Sequence, residues 1–149
     1  MFLTALVVAG LAVDAYVHLH LAPNFRTVRS STLSEEDLFR GEAVAAILAA
    51  VALVVRPRRY TAAFAFLVAA AGTGAVVVYR YVDVGAFGPF PNMYDPFWAP
   101  TEKTLSAVAE AVAALAAMAL FVMFHLRSRR GATGLPPVRA GGRRAGSTA

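Results

Sequence analysis

The chain of 149 residues contains no cysteine and carries little charge. The absence of thiols excludes disulfide frameworks, thiolate metal sites, cysteine nucleophiles and CxxC redox chemistry. Charged residues make up 15% of the sequence, against about 25% in ordinary soluble domains. Because so few polar side chains cannot cover a water-soluble globule, lipid is expected to solvate part of the chain.

Several motifs of soluble enzymes are missing as well. The sequence has no GxSxG element, no Gly-rich phosphate loop and no HExxH, HxxxH or ExxH spacing. These absences give no support to nucleophilic-serine catalysis, nucleotide binding or a metal chelated by one helix. Gly72-Thr73-Gly74 falls inside an apolar run and is interpreted as a packing site.

Long apolar runs are what the sequence does contain, with 58% hydrophobic residues. Crossing a hydrocarbon core near 30 Å takes about 20 mainly apolar residues. Four runs meet this length approximately: 2–21, 39–55, 60–82 and 105–126. The prediction is an all-α fold, a four-helix transmembrane bundle with up-and-down topology.

This bundle is expected to form one domain, residues 1–126, followed by a basic tail, residues 127–149. The tail is rich in Gly, Pro, Arg and Ser, and such composition predicts disorder. The first run lacks a basic stretch before it and carries Asp14, so we expect a retained span rather than a cleaved signal peptide.

Stripes of small residues recur at a spacing of three or four and predict close helix packing in lipid. They are Gly41, Ala45 and Ala49 in the second span, Ala65, Ala69 and Thr73 in the third, and Ala107, Ala111 and Ala114 in the fourth.

Arginine placement predicts the orientation. Nine of the fourteen basic residues lie in the turn after the second span or in the tail. Under the positive-inside rule these two places face the cytoplasm. The predicted location is therefore the plasma membrane, with both termini cytoplasmic and the tail arginines against anionic inner-leaflet lipid.

Two outer loops connect the spans. In the first, Thr32 and Glu35 have the spacing of a capping box, which predicts a helix start above the membrane. The second, residues 83–100, combines four prolines with aromatic residues. We favour an interfacial aromatic belt; a lid over the bundle is the alternative, with Phe90, Tyr94, Phe97 and Trp98 as its candidate residues.

Ionisable residues gather in the outer half of the predicted bundle. The candidates for ligand binding or proton transfer are Asp14, His18, Glu42, Arg80 and Glu110. Ionisable groups in a membrane carry a cost and by default indicate function. One interpretation is that they satisfy each other, with His18 on Asp14 and Arg80 on Glu42 or Glu110. The other is a polar cavity for a metal, a small polar molecule or a quinone headgroup; His18, Glu42 and Glu110 are the weaker metal candidates.

The segment VDAYVHLHLAPNF at the end of the first span, followed by Gly-Glu in the second, gives the chain a layout that resembles small four-span bacterial membrane proteins. In arrangement it is similar to the DoxX-like family. That resemblance implies a four-helix membrane fold and, for some members, a respiratory or redox context. It transfers no catalytic residue to this sequence.

The function predicted from these observations is an integral membrane protein that binds a small ligand or a partner subunit through the outer polar cluster. A redox or metal-dependent enzyme or accessory subunit is the alternative, and a small transporter is a weaker one. The sequence requires no cofactor and favours a non-enzymatic role. Self-association is compatible with the small-residue stripes, and no nucleic-acid partner is expected.

Overall fold

The structure is a computed structural model that describes residues 1–132. The predicted tail beyond residue 132 lies outside this range. Within it the chain forms four α-helices and one 3-10 helix, and no strand. The α-helices are α1 (Phe2–Leu21), α2 (Glu35–Val55), α3 (Arg59–Tyr81) and α4 (Thr101–Ala132), and the 3-10 helix is Ala22–Phe25. The predicted all-α four-helix bundle is confirmed.

Each α-helix is long and apolar enough to cross a membrane. The shortest, α1, has 20 residues and therefore extends about 30 Å, the thickness of a hydrocarbon core. Large apolar side chains stay exposed on the outside of the bundle, among them Leu48, Leu67 and Leu115. This distribution fits a bundle that lipid solvates.

The start of α2 differs from the predicted capping box. Ser34 is the N-cap: its hydroxyl accepts the Asp37 N–H at 3.1 Å, and the Asp37 carboxylate accepts the Ser34 N–H at 3.0 Å. The predicted pair of Thr32 and Glu35 cannot form because the Glu35 N–H already donates to the Val28 carbonyl at 2.8 Å. The box uses a pair with the same spacing, two residues further along the chain.

The end of α4 also differs from the prediction. The helix continues to Ala132, so residues 127–132 extend the fourth span instead of opening the tail. No proline occurs between Pro100 and Pro136, and arginine is a good helix former. The Ser128 hydroxyl donates to the Phe124 carbonyl at 2.9 Å within the extension.

The helices alternate in direction around the bundle. α4 packs against α1 and α3, and α2 packs against the same two helices. The C-terminal ends of α1 and α3 meet the N-terminal ends of α2 and α4 at one end, which we call the long-loop end because residues 22–34 and 82–100 lie there. The opposite end holds the turn at residues 56–58 and is called the short-turn end.

Close approach of α1 and α4 is possible because position 10 is glycine. A Cβ there would lie 2.7 Å from the Ala109 carbonyl oxygen and 2.8 Å from the Ala113 Cβ. On α2 the buried small residues are Ala43, Ala46 and Ala49. The predicted α2 stripe is therefore only partly right: Ala49 is buried, but Gly41 is exposed and meets no neighbour within 4 Å.

Gly10→Ala should destabilise the bundle by about 1–3 kcal/mol because the added methyl group overpacks the α1–α4 contact. Gly74→Ala is the matched control, since a Cβ at Gly74 meets nothing within 4 Å; it should leave stability unchanged or raise it by up to about 1 kcal/mol. Thermal unfolding in detergent measures both. Equal melting temperatures for the two variants would contradict the close approach.

Candidate functional site

Two helices place a polar cluster inside the bundle. Asp14 and His18 lie one turn apart on α1, and Ser106 and Glu110 lie one turn apart on α4. The spacing of four puts each pair on one helix face. Asp14 and Glu110 are fully buried, and His18 and Ser106 are nearly so. We call these four residues the polar cluster.

Hydrogen bonds join the cluster into a chain. The His18 Nδ1 lies 2.6 Å from Asp14 Oδ1 and 3.1 Å from the Asp14 carbonyl oxygen. The Ser106 Oγ lies 3.1 Å from Asp14 Oδ1 and 3.1 Å from Glu110 Oε1. The chain therefore runs from an imidazole through a carboxyl and a hydroxyl to a second carboxyl.

Ser106 connects two carboxyl groups with a single hydroxyl hydrogen. That hydrogen can be donated to Asp14 or to Glu110, but not fully to both. The remaining short contact requires either a hydrogen on one of the carboxyls or a cation beside them. The cluster is therefore incomplete as two bare carboxylates and one serine.

Further polar atoms in this region are buried without a hydrogen-bond partner among the described residues. Within the cluster these are Asp14 Oδ2 and Glu110 Oε2. Gly72 on α3 leaves the space that the Glu110 carboxyl occupies, because a Cβ at Gly72 would lie 2.6 Å from Glu110 Oε2. A buried unsatisfied polar group costs about 1–3 kcal/mol, so the site retains unused binding capacity.

A cavity of about 400 Å³ lies at the long-loop end, next to the cluster. His18 and Ser106 are part of both, so the cavity reaches the cluster at these two side chains. Its wall is mainly apolar and includes Leu38, Phe39 and Val76. Glu35, Glu42, Arg80, Asp95 and Lys103 add charged groups to the wall.

The second loop contributes to the same cavity. Phe90, Phe97 and Trp98 line it, whereas Tyr94 is not among the lining residues. Arg80 donates to the Pro96 carbonyl, and its guanidinium lies 4.4 Å from the centre of the Trp98 ring. The second loop, for which the sequence predicts a belt or, alternatively, a lid, thus borders the cavity on the side of α3.

A second anchor of this loop is Asp95. Its N–H donates to the Tyr79 carbonyl at 3.0 Å, and its carboxylate forms an ion pair with Lys103. Partial burial acts to raise the pKa of Asp95, but hydrogen bonds from Lys103 and from the Phe97 N–H outweigh it. The pKa of Asp95 therefore lies below its ordinary value.

The structure distributes the sequence-predicted site residues over two places. Asp14, His18 and Glu110 meet in the polar cluster, whereas Glu42 and Arg80 line the cavity. Of the mutual pairings considered, His18 with Asp14 is present. Arg80 contacts the second loop instead of Glu42 or Glu110, because α3 ends beside that loop.

Sequence reasoning missed part of the site. Ser106, Gly72 and Lys103 were not chosen as site residues, although all three contact or line it. Ser106 carries a signal that could have been used, since it lies one helical turn before Glu110. The role of Gly72 depends on how α3 faces α4, which no local pattern encodes.

Comparison with known proteins gives no match: no family model fits the chain, and no similar protein was found among curated proteins or solved structures. The DoxX-like layout stays a prediction from the sequence.

The Asp95–Lys103 ion pair predicts a pH dependence of the second loop. Because the folded pKa of Asp95 is lowered, its stabilising contribution is fully present above the ordinary pKa and is lost as the pH falls through the folded value. Trp98 is the only tryptophan and reports on the loop. Its emission should shift as the pH falls below about 4, the ordinary pKa of an aspartate.

Asp95→Asn should show the shifted emission already at neutral pH, because the ion pair is absent. Glu102→Gln, which removes an acid next to Lys103, is the control and should keep the wild-type profile. An Asp95→Asn variant that titrates like the wild-type protein would contradict the anchoring role.

Proposed function

We propose that this protein binds an amphipathic small molecule with an uncharged polar headgroup, of the quinone or quinol type, in the cavity at the long-loop end. The observation that carries the proposal is the cavity itself, which combines apolar walls with a few convergent polar groups. Small-molecule sites typically have this composition and volumes of about 300–1,000 Å³. At about 400 Å³ the cavity lies within that range.

The apolar walls support a ligand with a hydrocarbon body. α1, α2, α3 and the second loop all contribute apolar side chains to the cavity, among them Val17, Phe39, Val76 and Met93. Since the outside of the bundle is also apolar, a molecule dissolved in lipid would exchange one apolar surrounding for another. Polar contacts would then supply the selectivity.

Two lining residues retain buried polar atoms that a headgroup would satisfy. Glu42 Oε1 is buried without a hydrogen-bond partner among the described residues, and so is Arg80 Nε. Glu42 accepts and Arg80 donates, so a headgroup with both a hydroxyl and a carbonyl oxygen fits the pair. Acidic and basic residues both line the cavity, which favours an uncharged headgroup over an ion.

The other functions considered from the sequence have less support. A transporter needs a polar path through both halves of the bundle, but the buried polar residues of the described chain all lie toward the long-loop end. Docking of a partner subunit through the outer polar cluster is the alternative to small-molecule binding, and identification of the co-purified molecules separates the two.

Binding is tested by purifying the full chain from its membranes in mild detergent and identifying co-purified molecules by native mass spectrometry. We expect one amphipathic small molecule per protein chain. Ala75→Phe should reduce its occupancy at least tenfold, because Ala75 lines the cavity and the ring fills it. Arg80→Met should weaken binding by removal of the headgroup donor.

Val78→Phe is the matched control, since Val78 is on the same helix but exposed and not part of the cavity wall. It should retain the molecule. Recovery of a partner protein without a small molecule would favour subunit docking, and equal occupancy in Ala75→Phe and Val78→Phe would contradict the cavity as the site.

We further propose that the protein lies in the plasma membrane with the long-loop end outside and both termini in the cytoplasm. Arg58, Arg59 and Arg127 surround a pocket of about 410 Å³ at the short-turn end. Cytoplasmic ends of membrane proteins carry such an excess of arginine. Anionic headgroups of the inner leaflet would bind there and along the tail.

The orientation can be tested directly because the chain has no cysteine. In intact cells a membrane-impermeant maleimide should label Ser31→Cys, in the first loop, and should not label Ser128→Cys until the membrane is permeabilised. Both serines are exposed, so the two substitutions are matched. The reverse labelling pattern would contradict the orientation.

A further inference from the structure

We propose that Asp14, His18 and Glu110 bind one divalent transition-metal ion, with Zn²⁺ and Mn²⁺ as the fitting class. The set differs from the metal candidates chosen from sequence, because the structure brings Asp14 and not Glu42 to His18 and Glu110. The inference goes beyond the proposed function, since an ion in the polar cluster does not require a molecule in the cavity.

The geometry of the three side chains fits one ion. One ring nitrogen of His18 and one carboxylate oxygen each of Asp14 and Glu110 lie within 4.8 Å of one another. Zinc bonds to nitrogen and oxygen of about 2.0–2.2 Å place tetrahedral ligands roughly 3.3–3.6 Å apart. Small side-chain rotations therefore bring all three atoms to one centre.

Unpartnered oxygens give an independent indication of a ligand. Asp14 Oδ2 and Glu110 Oε2 have no hydrogen-bond partner among the described residues, and both side chains are fully buried. These oxygens can accept a metal without the loss of an existing hydrogen bond. The Ser106 hydroxyl, which cannot serve both carboxyls at once, would then be free to orient one of them.

Charge balance points the same way. Among the ion pairs of residues 1–129, Asp14 is paired only with His18, and Glu110 forms none with a lysine or arginine. Two carboxylates, one neutral imidazole and a divalent cation sum to zero charge. Buried carboxylate charges without a compensating cation are costly inside a protein. The cation would therefore relieve the repulsion between Asp14 and Glu110.

Access and ligand chemistry decide the class of ion. His18 and Ser106 also line the cavity, so an ion can enter from there and keep a coordination position open toward it. Three protein ligands and one open position are the arrangement of catalytic zinc sites. Imidazole and carboxylate ligands suit zinc, manganese or iron, and not metals that prefer sulfur.

The test is metal binding by the full chain in detergent after a wash with EDTA. Equilibrium dialysis against Zn²⁺ and, separately, Mn²⁺, read by elemental analysis, should give one ion per chain. Glu110→Gln and Asp14→Asn keep the side-chain shapes and should each lower the affinity at least tenfold. Glu102→Gln is the matched control, since Glu102 lies on the same helix as Glu110 but belongs neither to the three ligands nor to the cavity wall; it should bind as the wild-type protein does.

Thermal unfolding supplies a second readout. At the same concentration, Zn²⁺ or Mn²⁺ should raise the melting temperature of the wild-type protein and of Glu102→Gln, and should raise that of Asp14→Asn clearly less. Ala75→Phe should keep the ion although it loses the cavity molecule, so failure of the metal site and failure of the proposed function are distinguishable.

Two outcomes would overturn the proposal. In the first, the wild-type protein binds no metal and the Glu110→Gln variant is at least as stable as the wild type. The two carboxyls would then share a proton and not a metal ion. Loss of binding in Glu42→Gln with retention in Asp14→Asn would assign the ion to a different set of ligands.

Discussion

The contact between α1 and α4 is the constraint on which the rest of this structure depends. Two features enforce it, the glycine at position 10 that admits the α4 backbone and the serine that reaches both Asp14 and Glu110. Lipid tails provide no hydrophobic drive for helix association, so close packing and interhelical hydrogen bonds must do it. Here the packing contact and the polar contact lie on the same pair of helices, one turn apart on α1.

The polar part of this structure lies toward the long-loop end. The buried core of the bundle consists largely of alanines and other apolar residues. At the long-loop end, His18 and Ser106 border the cavity together with apolar and charged side chains. The second loop contacts Arg80 and Lys103 in the wall of the same cavity. The polar cluster, the cavity and the second loop therefore adjoin one another at one end of the bundle.

Sequence patterns were sufficient for the helices and insufficient for the pairing of side chains. Apolar length predicted four spans because the bilayer fixes that length. Their ends differ by more than one residue only in α2, which begins at Glu35, and in α4, which runs from Thr101 to Ala132. Asp14, His18 and Glu110 stood out because ionisable residues are rare in apolar runs. Whether these side chains contact one another depends on how α1 and α4 are each rotated about their own axes. Arg80 was paired with the wrong partners because the path of a proline-rich loop cannot be derived from local propensity.

Gly72 has a consequence for how α3 can move. It forms part of the cavity wall and also faces the Glu110 carboxyl, where a methyl group would not fit. Rotation of α3 about its own axis would therefore bring the side chain of Ala71 or Thr73 against that carboxyl. The absence of a side chain at position 72 therefore fixes the rotation of α3 about its axis relative to α4. Gly72 is thus shared by the cavity wall and by the surroundings of the Glu110 carboxyl, so a larger side chain at this position would disturb both at once.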